Sequence, residues 1–365
     1  MPGERVRDER KHEKSIGVVV LIVSFNARAD LEECLRSVLG SVDMRLRPRI
    51  IVVDNASTDG SADMVAEEFR DVELVRASSN LGFAGGNNLG WSIAQRSQSP
   101  IEYLYMLNQD TVVSDGWLER AVAQLEANPH VGAGQSIICL YSDKARLNTR
   151  GNVSHYLGFG FLGGYLEPHL GKAEPRRRLG CASGAAMIVR CRAIAEVGLF
   201  QDSFFMYSED ADLSWAILMG GHAIESIPES VVYHKYAFKA HLPHYFHLEK
   251  NRLWLLFTFY RKRTLLILLP AILAMELGQW LFAATRGLMS AKLRSYRFLA
   301  AAPARQLLGQ RRQVIQAARR IPDRVFLSLM SGAIETPHLR GWLVRFVANP
   351  FFRAYLWLVQ RVIRW

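Results

Sequence analysis

The chain has 365 residues, half of them hydrophobic, and carries 45 Lys and Arg against 34 Asp and Glu, for a formal net charge of +11. That length holds a full globular core with at least one further module. The charge is uneven: residues 1–240 hold 25 basic and 30 acidic side chains, a net −5, whereas residues 241–365 hold 20 and 4, a net +16. A near-neutral catalytic part and a basic tail that meets an anionic surface follow from this split. The tail's basic residues come with long apolar runs and no nucleic-acid motif, which excludes nucleic acid as the partner and leaves lipid.

In chain order, Met1 to Lys14 mixes acids with bases and reads as a disordered start, residues 1–15, without a secretory signal, so the chain is expected to begin in the cytoplasm. Val18 to Val23 is a strand rich in Val and Ile. Leu31 to Leu39 has helical spacing, with Asp30 placed as its N-cap. Ile50 to Val53 is the next strand and Ala62 to Phe69 the next helix, begun by Asp59-Gly60-Ser61. Val72 to Val75, the segment Gly85 to Gln95, Tyr103 to Leu107 and Trp117 to Leu125 continue the alternation. Such a βαβ series implies a mostly parallel sheet between helices. From Val131 to Tyr207 the pattern changes to strand fragments and Gly-rich loops such as GFGFLGGYL, where an acceptor side is expected. Cys34, Cys139, Cys181 and Cys191 show no C-x-x-C spacing and lie in apolar runs, as buried reduced thiols do.

Acidic clusters close two of the strands. Asp54 follows Ile50 to Val53, and Asp110 follows Tyr103 to Leu107. Ligands of open α/β sheets bind outside the carboxyl ends of the strands, so both acids face one crevice. Asp54 is suited to accept the imide N–H of a pyrimidine base and equally to serve as a turn residue. Asn80-Leu-Gly-Phe-Ala-Gly-Gly-Asn-Asn88 reads as a glycine loop before a helix, where backbone N–H groups approach phosphate oxygens. Asp110 suits a hard divalent cation that a nucleotide diphosphate already holds, with His234 completing the coordination; N-Q-D-T would also serve as a helix N-cap. Glu209 and Asp210 offer a general base, with Glu209 and Asp212 raising the Asp210 pKa by like-charge proximity, or simply start the helix Ala211 to Met219.

Taken in order, VSFN, VVDNASTDGS, NLGFAGGNN, LNQDT, SGAAMIVR, GLFQDSFFMYSEDADL and VVYH resemble the inverting family 2 glycosyltransferases, and within them the bacterial rhamnosyltransferase-like branch, over about Val18 to Tyr236. The resemblance implies a GT-A fold: a nucleotide-binding half, residues 16–130, and an acceptor half, residues 131–240, sharing one cleft. It implies a donor site of Ser24, Asn26, Asp54, Asn80, Gly82, Gly85, Asn88 and Asn108, and a Mn²⁺ or Mg²⁺ ion held by Asp110 and His234. Asp210 would be the base with Glu209 beside it, and Ser183, Gly184, Asp212, Lys250 and Arg252 would face the acceptor. Three departures bear on the donor, one being GLFQD where G-F-D-E is more usual. Asn108 stands where the usual D-x-D motif has its first acid, and Leu-Ser-Trp-Ala follows Asp212 where relatives often carry an arginine. The branch points to thymidine diphosphate rhamnose; a uridine diphosphate hexose or galactofuranose is the alternative.

The tail, residues 241–365, is expected to be helical and membrane-associating. TLLILLPAILAMELGQWLFAAT, Thr264 to Thr285, would span about 33 Å as a helix at ~1.5 Å per residue. Its Pro270 and Glu276 leave two arrangements open, a spanning helix or an in-plane helical hairpin broken near Pro270. Arg interleaved with Leu, Val, Phe and Trp in Trp342 to Ile363 suits anionic lipid, bundle packing or an interface in a homo-oligomer. A chain ending near Phe259 is expected to fold alone. Two functions follow from these readings. One is a transferase at the cytoplasmic face of the membrane that adds sugar to a polyprenyl-diphosphate-linked saccharide, with Lys250, Asn251 and Arg252 in HLEKNRLW meeting the pyrophosphate; the other is a nucleotide-sugar-binding scaffold that has lost catalysis.

Overall fold

The computed structural model describes residues 16–41, 46–236, 242–335 and 341–365; the segment 1–15, expected to be disordered, lies outside them. Alternation of Val- and Ile-rich strands with helices builds the first half: β1 Val18–Ser24, α1 Arg28–Ser41, β2 Arg49–Asp54, α2 Ser61–Glu68, β3 Glu73–Arg76, α3 Gly82–Ala94, β4 Tyr103–Asn108, β5 Thr111–Val113 and α4 Trp117–Ala127. The fragmented stretch follows as β6 Val131–Leu140, β7 Leu147–Thr149, β8 Asn152–Ser154, β9 Gly160–Leu162, β10 Ala186–Arg190, α5 Cys191–Ile194, α6 Glu209–Met219 and β11 Ala223–His234. The tail forms α7 Tyr245–Phe259, α8 Lys262–Thr285, α9 Met289–Ala300, α10 Ala302–Ala318, α11 Asp323–Ser328 and α12 Asn349–Val362.

The main sheet has the order β3-β2-β1-β4-β10-β6-β11-β5, with β7 paired to β6. Pairing is parallel through β3, β2, β1 and β4 and between β6 and β11, and antiparallel where β10 enters between β4 and β6. The sheet is therefore mixed, its parallel half covered on both faces, as the uninterrupted apolar runs require. Ser24 registers with Asp54 and Val23 with Asn108, which puts the ends of β1, β2 and β4 at one edge.

α1 starts three residues before the expected Leu31 and contains Asp30, whose carboxylate instead takes the Lys235 ammonium at 2.7 Å. The reason is tertiary: Asp59 Oδ2 accepts the Arg28 N–H at 2.9 Å and satisfies a donor at the helix start from outside the helix.

The tail does not stand apart. One apolar cluster runs from Met187 and Trp215 through Leu255 and Leu268 to Ile315, Phe326 and Leu356. Trp215 packs edge-on against Phe259 and Phe326 at centroid distances of 5.4 and 5.0 Å. Ser331 bridges to His155, and the Arg320 N–H donates to the Met219 carbonyl at 2.7 Å. The expected independence of a chain ending near Phe259 is corrected by this packing, because Phe326 of α11 covers Trp215 and Arg311 of α10 pairs with Asp212 of α6. α8 likewise runs unbroken through Pro270 for 24 residues; buried Leu268, Ala271 and Met275 seat both sides of the proline on the same core and hold the helix across it.

Candidate active site

The edge where β1 and β2 end is lined by polar atoms. Asp54 is almost wholly buried; its Oδ2 accepts the Ser57 N–H at 3.1 Å, and its Oδ1 has no partner. The Ser24 hydroxyl, on the registered residue of β1, is buried and equally unpartnered. Orphaned buried oxygens are costly unless a ligand or water reaches them, so this pair marks a binding position. Asn26, at φ 47°, accepts the Thr58 N–H at 2.8 Å and ties the β1 turn to the β2 turn.

The Asn80 to Asn88 segment is not a loop. α3 begins at Gly82, so most of its glycines are helical. A Cβ at Gly86 would stand 2.7 Å from Val23 Cγ1, and one at Gly90 2.3 Å from Leu21 Cδ1: these glycines let α3 press onto β1. Gly85 is buried in the same helix, and Asn88 is occupied by Phe200 and Asp202, receiving the Phe200 N–H at 3.0 Å and donating to Asp202 Oδ1 at 2.6 Å. The expected phosphate cradle at Gly85 and Asn88 is thereby corrected. Asn80 and Gly82 remain at the helix start, where Asn80 Oδ1 accepts N–H groups from Gly82 and Asn55 at 2.8 and 3.0 Å. Gly82 also has a conformational need: its φ is +71°, and a Cβ there would stand 2.3 Å from Phe205 O.

Asp110 is brought to His234 by the antiparallel pairing of β5 with β11, in which Thr111 registers with His234. Asp110 Oδ1 lies 3.1 Å from His234 Nε2, and the other ring nitrogen faces Asn148 Oδ1 at 3.2 Å. As the Asn148 amide stands, Nδ1–H donates to it and a neutral ring turns a lone pair towards the carboxylate; two acceptors at that distance call for a proton or a cation between them. Burial pushes the Asp110 carboxyl up, but the His234 hydrogen bond and charge outweigh it and hold the group below its ordinary value. Among the described residues no group of three or more His, Cys, Asp and Glu is placed to hold a metal ion, so a cation here would take most of its ligands from elsewhere.

Glu209 and Asp210 open α6. Asp210 Oδ1 accepts the Ala211 N–H at 2.8 Å, and Asn152 Nδ2 approaches Oδ2 at 3.4 Å. Burial pushes Asp210 up and does the same to Glu209, helped there by the neighbouring Asp210 charge. Asp212 takes no part in that, since it is buried against Arg311 of α10. Gly184 joins the neighbourhood: a Cβ there would meet the Phe83 ring of α3 at 3.2 Å and Asp210 Cβ at 3.7 Å. Ser183 beside it is half-buried, and Asn108 at the end of β4 donates its N–H to Ala185 O at 3.0 Å. The start of α3, the end of β4 and the start of α6 therefore converge.

The segment that delivers Glu209 and Asp210 is strained. Phe205, Tyr207 and Ser208 have φ of 63°, 66° and 64° without being glycine, each at a cost of about 1–3 kcal/mol. It is held by α7: fully buried Asn251 donates through Nδ2 towards the carbonyls of Phe204, Met206 and Tyr207 at 3.2, 3.0 and 2.7 Å, and the Lys250 ammonium donates to Ser203 O. Lys250 is thus buried, with its pKa lowered to about 8 by desolvation. Arg252 is buried between Glu249 and Glu276. Placing Lys250, Arg252 and Asp212 on an open acceptor face is corrected by these pairings. Asn251 was expected at the lipid pyrophosphate and instead clamps this segment; Asn152, Asn148 and Arg311 were missed, the first two inside the stretch Val131 to Tyr207 where an acceptor side was expected.

Residues 19–198 match the family model described as glycosyl transferase family 2. The chain is 26% identical over 243 residues to an N-acetylglucosaminyl-diphospho-decaprenol L-rhamnosyltransferase of Mycobacterium tuberculosis, covering 61% of this chain and 76% of that one. It is 25% identical over 250 residues to polypeptide N-acetylgalactosaminyltransferase 6 of Homo sapiens, covering 62% and 38%. Among solved structures, GalNAc-T7 with UDP, GalNAc and Mn²⁺ superposes with a TM-score of 0.53 at 15% identity, covering 68% of this chain and 49% of that chain. The fold is GT-A, and residues 19–198 form a glycosyl transferase family 2 domain. It is a glycosyltransferase.

Proposed function

We propose that the protein is an inverting glycosyltransferase that moves L-rhamnose from thymidine diphosphate rhamnose to a saccharide carried on a polyprenyl diphosphate, at the cytoplasmic face of the membrane. The observation that carries this reading is the half-buried Asp210 carboxyl, raised in pKa by desolvation and placed beside Gly184 and Phe83 on a segment fixed by Asn251. A base that is ionised near neutrality takes the acceptor hydroxyl proton as the oxygen attacks the anomeric carbon; the diphosphate leaves from the opposite face, and the single displacement inverts the centre. Glu209 stands beside it, itself raised by burial and by the Asp210 charge.

On the donor side, Asp54 Oδ1 and Ser24 Oγ receive the base and ribose, with Asn26, Asn80, Gly82 and Asn108 around them. Asp110 and His234 fit Mn²⁺ or Mg²⁺, whose charge would offset that of the departing diphosphate. Residues 16–130 hold the donor in this scheme, residues 131–240 the acceptor, and residues 241–365 add the membrane contact. The mycobacterial relative, by its name, acts on a diphospho-decaprenol carrier, which supports the lipid-linked acceptor and the sugar. Asn108 in place of an acid favours testing uridine diphosphate hexoses and galactofuranose beside the rhamnose donor.

Thermal-shift screening against thymidine, uridine and guanosine diphosphate sugars, with and without manganese, tests the donor. The expected result is a thymidine preference. Transfer to a polyprenyl-diphosphate saccharide with inversion of the anomeric centre then tests the reaction, and donor binding without transfer to any carrier would return the scaffold reading.

A further inference from the structure

One face of α8 is apolar from end to end. Leu266, Leu269, Leu273, Leu277 and Leu281 are 71, 44, 59, 63 and 60% exposed, with Pro270, Ala274, Gly278 and Ala284 in the gaps. Between Arg263 and Arg286 the only charged residue is Glu276, and it points the other way, paired with Arg252 and Lys292. A 24-residue helix makes this stripe about 36 Å long at ~1.5 Å per residue. A stripe of that length is unusual on a water-facing surface and marks something that covers it.

α12 extends the same surface. Its Phe352, Leu356, Val359 and Ile363 enter the core, while Phe351, Leu358 and Val362 form a second exposed stripe with Tyr355. Tyr355 Oη donates to the Ile267 carbonyl at 2.6 Å, so the two stripes border each other. Trp342, Phe346 and Trp357 add 71, 64 and 57% exposed rings. Around the patch stand exposed Lys262, Arg263, Arg286, Arg345, Arg353 and Arg361, with the Arg361 guanidinium over the Trp357 ring.

Resting on the membrane setting of the proposed function, we infer that α8 and α12 dock flat on an anionic lipid leaflet, with the leucine stripe in the acyl region and the basic rim at the headgroups, and that α8 does not cross the bilayer. The opposite face of α8 decides between lying and crossing. Leu268, Ala271, Met275 and Ala283 are buried along it, and Glu276 enters a charge cluster with Glu249, Arg252 and Lys292. A crossing helix would carry that cluster and the attached catalytic fold into hydrocarbon, where buried charge and irregular backbone are not tolerated. Basic residues at both ends of α8 leave no preferred orientation across a bilayer but suit both ends resting at one surface. The occupant is lipid rather than a second copy, because two such rims would meet with like charge while an anionic leaflet complements them; Trp at the rim is the usual interfacial anchor.

The test uses full-length protein and vesicles of phosphatidylcholine and phosphatidylglycerol. A fluorophore is placed on Leu266→Cys, Leu273→Cys or Leu281→Cys in a Cys191→Ser background, since the other three cysteines are buried. Quenching by spin-labelled lipids should give one shallow depth for all three positions. A deep Leu273 between two shallow ends would mean a crossing and overturn the inference. Leu273→Glu with Leu277→Glu should lower the floated fraction by about tenfold or more with an unchanged melting temperature and unchanged nucleotide binding. Undiminished flotation of that variant would overturn the inference, and so would conversion of a soluble dimer to monomer without vesicle binding in either form. None of these readouts needs sugar transfer, so failure of the transferase reading would show separately.

Discussion

Arg311 of α10 donates to Asp212 of α6, and both side chains are almost wholly buried. The pair joins the tail to the helix that begins with Glu209 and Asp210, only two residues from the proposed base. Arg311 also donates to Val197 O, so one side chain ties three segments together.

Removing one partner of a buried pair strands the other charge, at about 3–5 kcal/mol. Arg311→Met should therefore lower the unfolding free energy by roughly that amount in urea titration, and a chain ending near Phe259 should be insoluble. An unshifted urea midpoint for the variant would show that Asp212 does not depend on the tail.

The pH profile should report Asp210. Burial lifts its carboxyl to about 6 in the fold. Only the ionised form is a base, so kcat/KM should fall about tenfold per pH unit below that value and level off above it. Stability runs the other way: with the folded pKa raised, this group's contribution is fully present below the unfolded value of about 3.9 and is lost as pH rises through about 6. Asp210→Asn should keep nucleotide binding and lose about 10²-fold or more in turnover; wild-type rates in that variant would remove Asp210 from the chemistry.

The parallel half of the fold was legible because buried strands such as Val18–Ser24 and Arg49–Asp54 are continuous apolar runs closed by polar turns. Their strand-end residues follow from that pattern, which is why Ser24, Asp54 and Asp110 could be placed in advance. The glycines of α3 misled, since a glycine needed for close packing and one needed for a phosphate look alike in a sequence. Lys250 and Arg252 misled for a related reason: a basic side chain reads as exposed until the acids that bury it are found, and Glu276 lies 24 residues away from Arg252. Asn251 was expected at the pyrophosphate because a clamp on three carbonyls leaves no trace in the residues it holds.

The cation should depend on both partners of the β5–β11 pairing. Asp110→Ala should abolish the manganese or magnesium dependence of donor binding, and His234→Ala should weaken it, because the protein offers few ligands beyond the diphosphate oxygens. Asn148→Ala, which removes the group facing His234 Nδ1, should weaken metal affinity by about 10-fold or more. Calorimetric titration of donor in the presence of each metal measures all three, and full wild-type activity in excess chelator would exclude the assignment.

Gly86→Ala separates packing from phosphate binding. The added methyl would stand 2.7 Å from Val23 Cγ1 and 3.2 Å from Cγ2, so α3 must shift, at about 1–3 kcal/mol of stability. The melting temperature should drop while the remaining folded protein binds donor with ordinary affinity. A variant of normal stability with impaired donor binding would restore the cradle.

Asn251 gives the sharpest test of how the base is held. Its amide faces the carbonyls of Phe204, Met206 and Tyr207, at 2.7 Å for the last, where the chain turns left-handed three times in four residues before Glu209. Asn251→Ala leaves the Met206 and Tyr207 carbonyls without this donor, while Phe204 O keeps the Met206 N–H, and costs about 1–3 kcal/mol for each group left unpaired. The strained conformers should then relax, and Asp210 should move. A displacement of about 1 Å at a reacting group costs on the order of 10²-fold in rate. The expected pattern is a kcat lower by that factor with donor affinity kept, since Asp54 and Ser24 are untouched, and a shifted acidic limb in the pH profile as Asp210 meets a different environment. A variant that loses stability but keeps both kcat and the pH limb would show that Asn251 supports the fold alone and does not aim the base.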